Sequence, residues 1–383
     1  MRTRTLWVPT LLATGLVLAA CGGPAEESSE DDRPAIEVAD PVVVTYDGGL
    51  YVLDGNTLEV KQDIPLEGFN RINAAGDGQH VLVSTSTGFR VLDATAAALS
   101  EDEFAAAEPG HVVDHAGTTV LFADGSGEVT LFDPQDLGDG LPEAETYTTA
   151  EPHHGVAVEL ANGELVVTLG NEETRSGALV LDAERNEIAR SEECPGVHGE
   201  SAAANETIVL GCENGVLVYR DGAFTKIASA DEYGRTGNTR GHEDSPYVLG
   251  DYKVDPEAEL ERPERISIIN TETAEMTLLD LGTSYSFRSL ARGPQGEGLV
   301  LGTDGALHVI DMAGAAVTQS IPVVGAWEEP IEWQEARPTV FVRGGTVYVT
   351  EPATSKIFAV DLASGTVAAE AELPSPANEL TGV

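Results

Sequence analysis

Residues 80–93 read HVLVSTSTGFRVLD, two short apolar runs separated by small polar residues. Such a pair of runs is typical of a β-hairpin. The second run, an apolar strand that ends in Asp or Asn, occurs eight times along the chain. These strands end at Asp54, Asp93, Asp133, Asp182, Asp221, Asn270, Asp311 and Asp361. Their mean spacing of about 44 residues is typical of the four-stranded blade of a β-propeller.

The eight repeats predict an all-β fold, a single closed β-propeller with eight blades. Seven blades are the alternative if one repeat is degenerate. The first repeat, VVVTYDGGLYVLD (42–54), has no run that would supply an innermost strand, and the chain finishes with PANELTGV (376–383). We therefore expect the C-terminal strand to complete the first blade and close the ring, which removes the exposed sheet edges.

The N-terminal residues predict export and lipid attachment. Arg2 and Arg4 precede an apolar segment of signal-peptide length, which ends in LAAC (18–21). This pattern resembles a bacterial lipobox, so residues 1–20 are expected to be a lipoprotein signal peptide and Cys21 the lipidated residue. An ordinary cleaved signal is the alternative. Residues 21–40 are acidic and poor in large apolar residues, as in a disordered tether. Residues 41–383 are the predicted propeller domain, held at the outer face of the cell membrane.

Two further cysteines, Cys194 and Cys212, remain once Cys21 is assigned to lipid. An even pair in an oxidising compartment favours a disulfide. A thiolate metal site is the alternative, because Cys194 lies four residues before His198.

The formal net charge is −44, from 21 Lys and Arg against 65 Asp and Glu. Nucleic-acid binding is not expected, because phosphate neutralisation requires clustered basic residues. The charge favours cations or basic partners through long-range attraction, and it also has the simpler reading of a surface that keeps an exported protein soluble.

Three of the eight histidines follow the blade period. His111, His154 and His198 are separated by 43 and 44 residues, and each precedes or begins a predicted innermost strand. They should therefore converge at one mouth of the central channel, where neutral imidazoles favour Zn²⁺. His242 lies in the next repeat, less well aligned, and is a fourth candidate ligand.

Other residues near these positions are candidates for additional ligands or for groups that orient the ligands. They are His153, Asp114, Glu200, Glu243 and Asp244. The alternative interpretation is that each histidine is a hydrogen-bonded rim residue. His80 and His308 lie inside predicted strands and are given no role, and His115 is expected to be structural. Structural hydrogen bonding is also the favoured interpretation of Arg235, Asn238 and Arg288.

Four segments in this order resemble the AztD family of zinc metallochaperones. They are PHHGVAV (152–158), CPGVHGE to LGC (194–212), GRTGN (234–238) and LGDY (249–252). The resemblance implies an exported β-propeller that holds zinc at His111, His154, His198 and His242. It also implies delivery of zinc to the substrate-binding protein of a zinc ABC importer. The His-rich stretch found near the N-terminus of some members is replaced here by PAEESSEDD, so a relay of zinc through this segment is not expected.

No catalytic function is expected. The chain contains no HExxH, no G-x-S-x-G, no P-loop and no CxxCH. The alternatives to a zinc carrier are a non-catalytic propeller scaffold and a metal-dependent hydrolase or lactonase. The chain is expected to act as a monomer.

Overall fold

The structure is a computed structural model, and it describes residues 36–138 and 140–383. Over these residues the strands form eight sheets, each built on four antiparallel strands, and one sheet has an additional short strand in parallel pairing. The eight-bladed propeller predicted from the repeat is confirmed.

The strands of the first four blades, from the channel outward, are these. Blade 1 contains β33 (Leu380–Gly382), β1 (Pro41–Tyr46), β2 (Gly49–Asp54) and β3 (Val60–Pro65). Blade 2 contains β4 (Arg71–Ala74), β5 (His80–Ser84), β6 (Gly88–Asp93) and β7 (Ala98–Ala105). Blade 3 contains β8 (Pro109–His115), β9 (Thr118–Ala123), β10 (Glu128–Phe132) and β11 (Glu145–Thr148). Blade 4 contains β12 (Ala157–Glu159), β13 (Leu165–Gly170), β14 (Arg175–Leu181) and β15 (Glu187–Ser191).

The remaining blades follow the same order. Blade 5 contains β16 (His198–Ala203), β17 (Thr207–Cys212), β18 (Asn214–Arg220) and β19 (Ala223–Ala228), and the short β20 (Gly234–Arg235) pairs with β18. Blade 6 contains β21 (Thr239–Arg240), β22 (Tyr247–Asp251), β23 (Arg265–Asn270) and β24 (Glu275–Asp280). Blade 7 contains β25 (Leu290–Arg292), β26 (Gly298–Leu301), β27 (Ala306–Asp311) and β28 (Ala316–Pro322). Blade 8 contains β29 (Val340–Arg343), β30 (Thr346–Glu351), β31 (Lys356–Asp361) and β32 (Thr366–Glu372). Short 3₁₀ helices span Pro134–Asp136 and Pro352–Thr354.

The C-terminal strand closes the ring as expected. β33 pairs with β1 antiparallel, with Val43 opposite Thr381. Backbone hydrogen bonds join Thr45 to both Glu379 and Asn378 just before this strand. The first and last segments of the domain therefore share one sheet.

The core is divided among the interfaces between blades. The described residues form eight buried apolar clusters, and each lies between two neighbouring blades. One cluster packs Val43 of blade 1 against Val81 of blade 2, and another packs Tyr51 of blade 1 against Ile357 of blade 8. Each blade thus buries its two faces against its neighbours, which is why a domain of this size needs no single central core.

The signal peptide, Cys21 and most of the tether lie outside the described residues. Ile36 to Asp40, at the end of the expected tether, are described. Val38 is buried, and its N–H donates to the Thr95 carbonyl at 2.8 Å. Contact with blade 2 therefore begins before residue 41. Among the described residues, no helix has the length and apolar character needed to cross a membrane.

The innermost strands surround the channel and run in one direction. Blades 2 to 8 each begin with their innermost strand, and the C-terminal β33 takes this place in blade 1. Neighbouring innermost strands contact each other, as β21 and β25 do. Residues at the start of these strands therefore lie at one end of the channel, and residues after them lie at the other end.

Candidate metal centre

Three histidines from blades 3, 4 and 5 meet at the channel mouth. One ring nitrogen from each of His111, His154 and His198 can be chosen so that all three lie within 4.8 Å of one another. The Nε2 atoms of His154 and His198 are 3.0 Å apart. These side chains line a cavity of about 730 Å³ that occupies the channel. The convergence expected from the 43- and 44-residue spacings is present.

Two of these histidines lie on bulges of their innermost strands. The pairing of β8 with β9 shifts register between Pro109 and Val112, and that of β16 with β17 shifts between His198 and Glu200. A bulge bends the strand and redirects a side chain. Gly199 adopts φ +70°, and a Cβ there would clash with the Gly237 carbonyl oxygen. The bulge at His198 therefore requires glycine at position 199.

An aspartate that the sequence analysis missed orients His154. Asp124 follows β9, and its Oδ2 accepts from His154 Nδ1 at 2.5 Å. This contact leaves His154 Nε2 free to face the other histidines. Glycine at position 110 makes room for this carboxylate, since a Cβ there would clash with Asp124 Oδ1. An Asp in a turn after a strand is too common to have been recognised from sequence.

His198 is oriented by a backbone carbonyl. Its Nδ1 donates to the Gly237 oxygen at 2.6 Å. The buried Asp251 holds this turn, since it accepts from Gly237 N at 2.6 Å and from Asn238 N and Nδ2 at 3.0 Å. Gly237 and Asn238 belong to GRTGN and Asp251 to LGDY, so the two segments together support His198. The role of Asp251 was not expected from sequence.

Burial, followed by the proximity of His111, lowers the pKa of His198 well below its usual value. The His198 imidazole is therefore neutral at neutral pH, which is the state in which histidine binds a metal.

Glu200 lies next to His111, the remaining histidine of the cluster. Its Oε2 is 3.5 Å from His111 Nδ1, and both side chains are largely buried. Of the predicted carboxylates, Glu200 is the one in contact with the cluster.

The structure does not bring His242 to the cluster. His242 lies after β21, at the far end of the innermost strand of blade 6. The residue of blade 6 that corresponds in position to His198 is Asn238, just before β21. Four residues of extended chain separate the two positions by about 13 Å. The His242 Nδ1 instead accepts from the Asp244 N–H at 3.2 Å.

The three other predicted carboxylates lie away from the three histidines. Asp114 and Glu243 line a separate cavity together with His115 and His242. Asp114 is three residues after His111 on β8, which is about 10 Å farther along the strand. Asp244 adjoins Glu243.

His153 points into the protein rather than into the channel. It is buried, its Nδ1 donates to the Glu151 carbonyl at 2.9 Å, and its Nε2 lies 3.1 Å from Thr168 Oγ1. With both nitrogens bonded in this way, His154 is the histidine of the pair that faces the channel.

The other histidines and arginines considered above make polar contacts that do not involve the three histidines. His80 bonds to Asp77, His308 Nδ1 lies 2.9 Å from Ser320 Oγ, and His115 Nε2 lies 3.2 Å from Glu206 Oε2. Arg235 donates to the Gly196 carbonyl at 3.2 Å, and Arg288 Nη2 lies 2.6 Å from Glu379 Oε1.

A disulfide fastens the segment that precedes His198. Cys194 and Cys212 are bonded, with their Cα atoms 4.9 Å apart, and both are buried in the cluster between blades 4 and 5. The predicted disulfide is confirmed, and these thiols are therefore not metal ligands.

The fold and this cluster define an eight-bladed β-propeller with histidines of metal-ligand type at one channel mouth. The comparison with curated proteins matches zinc chaperone AztD of Citrobacter koseri, with 28% identity over 284 residues. The match covers 71% of this chain and 65%, just under two thirds, of the length of that protein. The resemblance predicted from the sequence is confirmed.

Solved structures show the same fold. Two structures of Citrobacter koseri AztD, one of them of the apo protein, superpose with a TM-score of 0.77 and 22% identity. They cover 90% of this chain and 96% of theirs. The structure of the dihydro-heme d1 dehydrogenase NirN superposes with a TM-score of 0.60 and 15% identity, over 92% of this chain and 76% of that one. No model of a protein family matches the chain.

Proposed function

We propose that the protein is an extracytoplasmic zinc carrier, and that His111, His154 and His198 bind the ion. The observation that carries the proposal is the convergence of three ring nitrogens within 4.8 Å. Tetrahedral zinc with nitrogen ligands at 2.0–2.1 Å requires nitrogens about 3.3 Å apart, so small rotations of the side chains complete the geometry. The bonds from His154 to Asp124 and from His198 to Gly237 are of the kind that orient zinc-bound histidines.

The position of the cluster supports a carrier more than a storage site. The His154 side chain is 42% exposed, whereas its partner Asp124 is 17% exposed. A mouth that opens onto His154 allows an incoming ligand to displace one histidine at a time. Three histidines also leave a fourth coordination position, for which Glu200 or an exogenous ligand is available.

Delivery to the substrate-binding protein of a zinc ABC importer is the second part of the proposal. It is supported by the similarity of this chain to AztD of Citrobacter koseri, a zinc chaperone. Lipidation at Cys21, supported by the LAAC sequence, would hold the carrier at the outer face of the membrane beside such an importer. The proposed role is non-catalytic.

The test is the zinc content of the purified chain from residue 22 onward, measured by plasma mass spectrometry after EDTA treatment and zinc reloading. We expect about one zinc per chain, lost in His154→Ala/His198→Ala. His308→Gln is the matched control, because it changes a histidine of blade 7 that bonds to Ser320.

Zinc retained by the double variant would contradict the ligand assignment. A zinc-free wild type would favour the scaffold alternative, and zinc-dependent hydrolytic turnover would favour the enzyme. Transfer is then tested with the metal-free substrate-binding protein of the same organism's zinc importer.

A further inference from the structure

A long loop at the histidine end of the channel presents an exposed tryptophan. Residues 323–339 join β28 of blade 7 to β29 of blade 8, and Trp333 at the tip of this loop is 51% exposed. Because the loop precedes an innermost strand, it lies at the same mouth as His111 and His198. Trp333 lines the same cavity as the three histidines.

The loop is held in shape by a buried arginine. Arg337 is fully buried, and its Nη1 donates to Glu329 Oε1 at 2.8 Å. Its Nη2 and Nε donate to the carbonyl oxygens of Glu332 and Glu335 at 2.6 and 3.3 Å. These bonds span the segment that carries Trp333, so the indole is presented by a preorganised backbone.

Neighbouring segments support the loop from outside. The Trp327 indole donates to the Gly302 carbonyl at 2.9 Å, and Asn378 Nδ2 donates to the Gln334 carbonyl at 2.8 Å. Phe69, in the connection before β4, meets the Trp333 ring edge-on at a centroid distance of 5.1 Å. An exposed indole that is already ordered loses little conformational freedom when a partner binds it.

The two most exposed large apolar side chains among the described residues both lie in this loop. Ile331 is 56% exposed, two residues before Trp333. Among the described residues, Trp333 is the one aromatic side chain in the group of strongly exposed large apolar residues. Tryptophan is enriched among the residues that dominate protein–protein binding energy. We call Phe69, Ile331 and Trp333 the rim patch.

Exposed acidic side chains lie on the same loop as Ile331 and Trp333. Glu332 and Glu335 are exposed, and the Glu328 side chain is 81% exposed and pairs with Arg262 at 3.1 Å. A second copy of this chain would bring these glutamates against one another, on molecules with a formal net charge of −44. The chain's own residues 22–35, which include EESSEDD, carry the same sign of charge. Like charges across an interface oppose both occupants.

We propose that the rim patch is the docking surface for the protein that receives the zinc. This inference rests on the proposed function. The partner presents an apolar pocket for the indole, bordered by lysine and arginine side chains that face Glu332 and Glu335. Docking there places the acceptor over the mouth through which His154 is exposed.

The experiment measures zinc transfer from the zinc-loaded chain to increasing concentrations of the metal-free substrate-binding protein of the same organism's zinc importer. In Trp333→Ala we expect the half-saturating acceptor concentration to rise about 30-fold, because a tryptophan at the centre of an interface contributes at this level. Zinc affinity should be unchanged. Ile188→Ser is the control, since Ile188 is 48% exposed on the outer strand of blade 4, away from the mouth. Glu332→Lys/Glu335→Lys should weaken transfer at low salt and flatten its salt dependence.

The outcomes separate this inference from the proposed function. Transfer by wild type that Trp333→Ala leaves unchanged would overturn the docking surface and leave the carrier function intact. A wild type that holds zinc but transfers none would contradict delivery, and the docking surface with it. A dimer that Trp333→Ala converts to a monomer in sedimentation velocity would assign the patch to self-association.

Discussion

Replacement of Asp124 by asparagine tests how the metal centre is organised. The carboxylate accepts from His154 Nδ1 at 2.5 Å, and its side chain is 17% exposed. In Asp124→Asn the side-chain amide oxygen can still accept this hydrogen bond, so the ring orientation is retained while the negative charge is lost. Asp124→Ala removes both.

Groups that hydrogen-bond to a metal-bound histidine typically contribute 10- to 100-fold to metal affinity. We expect Asp124→Asn to weaken zinc binding about tenfold, which is about 1.4 kcal/mol, and Asp124→Ala to weaken it about 100-fold, which is about 2.8 kcal/mol. The larger effect is assigned to the alanine variant because His154 then also loses its orientation.

The assay is competition for zinc against a chromophoric chelator at pH 7.5 and fixed ionic strength. Asp304→Asn is a matched control, because Asp304 Oδ2 lies 3.2 Å from His308 Nε2 in a pair remote from the three histidines. Unchanged zinc affinity in Asp124→Ala would refute the assignment of His154 as a ligand held by this carboxylate. Equal losses in Asp124→Asn and Asp304→Asn would show a general effect of charge instead.

Three further predictions concern the support of His198. Because burial lowers the pKa of His198 in the folded state, the unfolded chain binds more protons as the pH falls below about 6.5, and the metal-free protein should lose stability there. Urea unfolding between pH 7.5 and 5.5 should show this loss, and it should be smaller in His198→Gln. Gly199→Ala should destabilise the fold by about 2 kcal/mol and weaken zinc binding, because position 199 has φ +70° and abuts the Gly237 carbonyl. Unchanged zinc affinity in that variant would mean that the bulge is not needed. Cys194→Ser/Cys212→Ser should cost about 3 kcal/mol in urea unfolding, as expected for a loop closed over 18 residues, and dithiothreitol should then have no further effect.

The closed ring follows from the sequence because each blade depends on local patterns. Alternating apolar residues and turn residues specify a strand and its hairpin within ten to fifteen residues, and their repetition specifies the blade. The shortened first repeat and the surplus C-terminal strand then predicted the closure between β1 and β33. The cluster of His111, His154 and His198 was predicted because the spacing of these residues matches the length of one blade.

Residues that act across blade boundaries had no such signal. Asp124 lies thirty residues before His154 and reaches it because blades 3 and 4 pack side by side. Asp251 acts on His198 only through the turn at Gly237. A spacing of 44 residues from His198 predicts that His242 joins the cluster. In the structure the equivalent position is Asn238, only 40 residues after His198. Repeat length varies with the loops, and a difference of four residues moves a side chain to the other end of the channel.

The sequence by itself thus determined the propeller, its closure, the disulfide pair and the three histidines that share one phase. The tertiary structure decided which ring nitrogens meet, which groups orient them, and that Trp333 stands at the same mouth. The physical reason is that periodic burial is encoded in neighbouring residues, whereas the direction of a side chain depends on bulges and on the packing of segments distant in the chain.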